Sequence, residues 1–161
     1  MKGAKIILLI VYLLALGVFL VINQMTPFPS ASSGNGNPAL LLALVLLPLL
    51  YFLVLLWIRI LRVYSINTFF SLGGLFVIII HQIIAFSYQK REINEYRQVI
   101  KNTLFKRYGN VDEEYVRTIT KVLSIHVNNQ YFNLNTYFMF VTFSILVAIV
   151  CILRIKKKEK I

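Results

Sequence analysis

Four uncharged apolar stretches alternate with polar ones along the chain, near residues 6–25, 39–58, 66–88 and 136–153. About 20 apolar residues cross the roughly 30 Å of a bilayer's hydrocarbon, so each stretch predicts a membrane-spanning helix. The second contains Pro48, which a helix bundle tolerates when neighbours satisfy the freed carbonyl. Tyr51, Trp57, Tyr64, Tyr88 and Tyr137 fall toward the ends of these runs, where amphipathic rings suit the headgroup layer.

Residues 89–135 follow another pattern. Ile93, Tyr96, Ile100 and Leu104 recur at helical spacing, opposite Arg91, Glu95, Arg97, Gln98, Lys101 and Asn102. Gly109 then ends this helix, since glycine takes the left-handed conformation of a C-cap. Asn110, three residues before Glu113, reads as the N-cap of a second helix with the stripe Tyr115, Ile119, Val122 and His126. Asp112, Glu113 and Glu114 suit the positive end of its dipole. Residues 128–130 and 133–135 form a polar return loop, and residues 27–38, rich in Ser, Gly, Asn and Pro, form a solvated turn. The expected fold is an all-α integral membrane protein, a single polytopic domain over residues 1–161. It has four transmembrane helices and a water-exposed helical hairpin inserted between spans three and four.

One stripe suggests that the first hairpin helix continues the third span. Asn67, Ser71, Gly74, Ile78, His81, Ala85, Tyr88, Glu92 and Glu95 are separated by steps of three or four and so share one helix face. Small and polar residues in lipid turn toward protein, because small ones allow close approach and polar ones need partners. Ala39 and Ala43, and Ser144, Ala148 and Cys151, offer matching faces. These features predict a four-helix bundle centred on the third span.

Composition agrees with a membrane protein. The chain is 58% hydrophobic and 14% charged, with a mean hydropathy of +0.74, whereas charged residues make up about a quarter of a soluble domain. Lys2 and Lys5 precede a first run too long for a cleavable leader, despite the small residues Ser30, Ala31 and Ser32, so it reads as an uncleaved anchor. Lys and Arg are nearly balanced between the two sides. The contrast between Lys2 and Lys5 and an uncharged first loop, with the basic cluster Arg154, Lys156, Lys157, Lys158 and Lys160, places both termini in the cytoplasm and the hairpin outside the cell membrane. That tail can also meet anionic lipid.

Candidate chemistry is sparse. The intramembrane polar face Asn67, Ser71, Gly74, His81 and Gln82 centres on His81, a histidine that either fixes helix register or contacts a ligand. The single Cys151 excludes an intramolecular disulfide. Asp112, Glu113 and Glu114 with His126 make a weak metal set, and no metal or cofactor is expected. The runs hold no Asp, Glu, Lys or Arg, which argues against a proton relay or voltage sensor. There is no phosphate loop, no HExxH and no nucleophile with a spaced base, so an enzyme is not expected. The net charge of +11 is divided among several loops without a recognition helix, which argues against nucleic acid.

Two known four-span plans share the outline, the tetraspanins and the quinone-linked disulfide-forming enzymes, but both depend on cysteines that this chain lacks. The abundance of Ile, Asn, Lys, Phe and Tyr points to an AT-rich bacterial genome. The expected function is that of a small non-enzymatic membrane interaction protein, either an accessory subunit or an immunity-type protein. Its partners are the bilayer and a protein held by Arg97, Lys101, Lys106, Arg107, Arg117 and Lys121. The alternative is an oligomeric pore or transport subunit, assembled through the faces Ser71, Gly74 and His81 or Ser144 and Ala148.

Overall fold

The computed structural model describes residues 2–29, 31, 36–64 and 67–158, which are helical and turn structure with no strand among them. Ile66, Ser30, Ser32 and Lys160 lie outside the described residues. Four helices are long and apolar enough to cross a membrane: α1 (Lys2–Gln24), α2 (Ala39–Val63), α3 (Thr68–Tyr108) and α6 (Leu134–Lys158). Between the last two lie α4 (Glu113–Ile119), a 3-10 turn (Ile125–Val127) and α5 (Asn128–Tyr131). Four such helices are consistent with a multi-pass membrane protein.

The long helices pack in the order α1, α2, α6, α3, so α3 lies at the edge of the bundle and not at its centre. α2 and α3 pack on α6, while α1 packs chiefly on α2. The residue pattern explains the correction. α6 buries Tyr137, Ser144, Ala148, Ile149 and Ile152, whereas the span half of α3 buries only Ser71 and Ala85 and leaves Phe69, Phe70, Phe76, Val77, Ile83 and Ile84 exposed. α3 therefore joins the bundle along a narrow line, with its broad apolar face outward.

α1 and α2 meet through Leu8, Val11, Leu53 and Ile60, and Phe19 packs edge-on to Phe132 and Tyr137. Two aromatics expected in the headgroup layer serve this core. Trp57 donates its indole N–H to the Tyr12 hydroxyl, and buried Tyr137 donates to the Tyr12 carbonyl at 3.2 Å. At the far end Lys5 lies 5.3 Å over the Tyr64 ring. Pro48 is exposed inside a continuous α2.

α3 runs unbroken for 41 residues to Gly109, which caps it at φ 70°. The expected stripe along it holds only in part. Tyr88 and Glu95 are exposed, and the buried line passes instead through Ala85, Gln89, Ile100 and Leu104. Each step of four residues turns the face by about 40°, so the line drifts from Tyr88 to Gln89 as α3 leaves α6 for new neighbours.

The second arm differs more. Its N-cap is Asp112, whose side chain accepts from Glu114 N and Tyr115 N, while Asn110 accepts from Val111 N. The helix then stops at Ile119, so Val122 and His126 do not extend its stripe. The Thr120 hydroxyl donates back to Val116 O at 2.8 Å, and the backbone turns at 121–124.

Candidate functional site

The densest polar construction in the fold is a seam of amides at one end of the bundle. Gln89 of α3 donates to Gln130 O, which fixes the orientation of its amide, and its Oε1 accepts from Asn133 at 3.2 Å and from Asn135 at 3.1 Å. Asn135 also donates to Ala85 O at 3.0 Å. Asn133 opens α6 as a reciprocal cap: its Oδ1 accepts from Thr136 N, and its own N–H donates to Thr136 Oγ1, both at 3.0 Å. Such a cap satisfies donors that a helix start leaves open.

The first loop closes the other side of the seam. Asn23 donates to Asn129 O at 3.3 Å and to Phe132 O at 2.9 Å, while Thr26 Oγ1 accepts from Asn129 N at 2.7 Å. Asn37 and buried Asn128 pair amide to amide at 2.7 and 3.2 Å, and Asn37 also donates to Leu123 O at 3.2 Å. Two segments expected to be solvated loops are thus bonded to each other. Each Asn and Gln carries both donors and an acceptor, so a cluster of them can satisfy most of its own groups where apolar neighbours exclude water, here with buried Asn129 Oδ1 left over. The sequence carried a signal for this, an excess of Asn and Gln flanking the spans, but not the pairing.

Within the spans, His81 and Gln82 meet α6. Gln82 donates to Met139 O at 2.9 Å and to Thr142 Oγ1 at 2.8 Å, and His81 Nδ1 lies 3.2 Å from the same hydroxyl. The Thr142 hydroxyl also lies 2.8 Å from Phe138 O, so the His81 tautomer decides which of the two groups donates in the His81–Thr142 bond. Asn67 caps α3, accepting from Phe69 N at 3.1 Å, and buried Ser71 donates back to Asn67 O. Gly74 is not needed for close approach, since an added Cβ would meet only Ile149 Cδ1 at 3.7 Å. Ser144 and Ala148 are fully buried within the single chain. The faces proposed for a pore assembly are therefore largely occupied within one molecule.

The far half of α3 and α4 form their own small core from Ile100, Leu104, Val116 and Ile119. Of the six basic residues singled out for partner contact, two brace this arm. Arg97 Nε donates to Thr120 Oγ1 at 3.0 Å, and Lys101 pairs with Glu113. Lys106, Arg117 and Lys121 are exposed, and Arg107 lies 5.3 Å over the Tyr108 ring.

His126 is fully buried behind the arm, and neither ring nitrogen has a hydrogen-bond partner. Burial lowers its pKa below the ordinary 6.5, because the charged form loses its hydration. The acids of α4 lie in its cap and first turn, and among the described residues no three His, Cys, Asp or Glu side chains gather where a metal could be held.

The architecture is that of an all-helical chain with four candidate membrane spans, one of them extended well past its neighbours. No family model, curated protein or solved structure matches it.

Proposed function

We propose that the chain is a small, non-enzymatic interaction protein of the cell membrane, with both termini in the cytoplasm. It holds a partner protein on an extracytoplasmic arm built from the far half of α3 and α4. With the bilayer ending near Tyr88, the remaining 20 residues of α3 reach about 30 Å into water. The observation that carries this reading is how firmly the extension is braced. Its own apolar core, the Arg97–Thr120 bond and the amide seam hold it, while Lys106, Arg117 and Lys121 stay exposed. A rigid basic prong suits an acidic partner, as an accessory subunit or an immunity-type protein requires.

The test is in-cell crosslinking from a photoreactive side chain at Asn102, followed by charge reversal at Lys106, Arg117 and Lys121. The reading expects a discrete crosslinked protein that reversal weakens at least tenfold, a change of about 1.4 kcal/mol. Crosslinks unchanged by reversal, or formed only from the cytoplasm, overturn it.

A further inference from the structure

A crevice of about 430 Å³ opens between the end of α1 and the middle of α3, where the two flank the start of α6. Leu16, Leu20 and Phe132 line its apolar part, and Asn23, Gln130, Asn133 and Asn135 line its polar part together with Glu92, whose carboxylate accepts from the Tyr88 hydroxyl beside it. The amide seam sets the chemistry of the polar part. Asn23 and Asn135 have each committed both N–H groups to protein carbonyl or amide oxygens, so what they can still offer is the Oδ1 acceptor. Glu92 is the one charged residue in the lining. The neighbouring bases Lys90 and Arg91 line a different groove, where Arg91 pairs with Glu95 at 2.7 Å. The polar wall therefore offers one carboxylate and two amide oxygens, carries net negative charge, and lies directly beyond an apolar wall on a candidate span.

We propose that this crevice binds a membrane lipid with a primary-ammonium headgroup. The ammonium donates to Glu92 and to the free amide oxygens of Asn23 and Asn135, and an acyl chain lies along Leu16 and Leu20. Three N–H donors match three acceptors, and the charge-assisted bond to the carboxylate is the strongest of them. A quaternary choline head has no N–H to give, and an anionic glycerol head meets Glu92 with like charge. Selectivity among lipids of the same chain length follows from the head alone.

The test uses the full-length protein in nanodiscs made from equal parts phosphatidylethanolamine, phosphatidylcholine and phosphatidylglycerol with identical chains, read by native mass spectrometry of retained lipid. The expected result is an enrichment of phosphatidylethanolamine of about tenfold over the other two, equivalent to about 1.4 kcal/mol. Glu92→Gln abolishes the preference while changing thermal unfolding little, since Glu92 takes no part in the seam and its bond to Tyr88 is at the surface. Leu20→Trp, which fills the apolar part, removes the retained lipid altogether. Equal retention of the three lipids, a preference that survives Glu92→Gln, or a preference that survives Leu20→Trp overturns the proposal.

Discussion

Asn135 on α6 donates to Gln89 on α3 at 3.1 Å, and this bond lies at the level where the expected third span ends. Gln89 is buried, and it joins three separate stretches: α3, the Gln130 carbonyl and the cap of α6. It fastens the outer half of α3 to the bundle.

Replacing it should be costly. Gln89→Ala leaves one donor each on Asn133 and Asn135 without a partner, while the Gln130 carbonyl keeps its bond from Asn133 at 2.9 Å, and each unpaired buried group costs about 1–3 kcal/mol. Thermal or denaturant unfolding in micelles should show a loss of at least about 2 kcal/mol. A loss under about 0.5 kcal/mol would mean that water takes its place and the seam is not a fastening.

Buried, unpartnered His126 makes stability depend on pH with a definite sign. Its folded pKa lies below 6.5, so the unfolded chain takes up the proton first as pH falls. The stability that follows from a neutral His126 is complete above about pH 6.5 and is lost as the pH falls toward the folded pKa. His126→Leu should be at least as stable as the parent at pH 7.5, and its advantage should widen below pH 6. A constant gap across that range would show that the buried ring does not titrate between the two states.

Gly74→Ala should be neutral or stabilising. The added methyl meets Ile149 at an ordinary contact distance, and alanine favours a helix interior over glycine by about 0.8–1 kcal/mol. Unfolding of the variant in detergent checks this, and a clear destabilisation would place α3 and α6 closer than described.

In the arm, Ile100→Ala removes a fully buried side chain from a core that α3 shares with the seven-residue α4 and with Val111. Such truncations cost about 2–5 kcal/mol, more than a helix of this length can absorb. Hydrogen exchange should show residues 113–127 losing protection while α1, α2 and α6 keep theirs. Lys101→Ala should have a far smaller effect, because its pairing with Glu113 is solvent-exposed and surface ion pairs contribute about 0–1 kcal/mol.

His81→Ala should lower bundle stability less than Gln82→Ala. His81 makes one bond to Thr142, whereas Gln82 makes two to α6, and such bonds in membranes average about 0.6 kcal/mol each. Parallel unfolding of the two variants decides the order. The reverse order would assign His81 a role beyond its bond to Thr142.

Local chemistry made the helices and several of their ends legible in the chain. Span length and hydropathy mark α1, α2 and α6 to within about five residues at each end, and Gly109 ends α3 where a left-handed residue was expected. The second arm was misread because the stripe Tyr115, Ile119, Val122 and His126 has helical spacing, yet Thr120 bonds back to the helix and the chain turns. Of the basic residues expected to meet a partner, Arg97 and Lys101 bond within the chain because Thr120 and Glu113 lie opposite them, the Lys101 pair at the surface.

Hydrophobic periodicity is a property of one helix, so it was enough to establish four spans and the length of α3's apolar half. Which helix lies at the centre depends on which faces find neighbours, and that placed α2 and α6 inside and α3 at the edge. The amide seam depends on pairings across more than 40 residues of chain, such as Asn23 with Phe132 and Gln89 with Asn135. No local pattern encodes such partners, because Asn and Gln read as loop formers until folding brings their donors and acceptors together away from water.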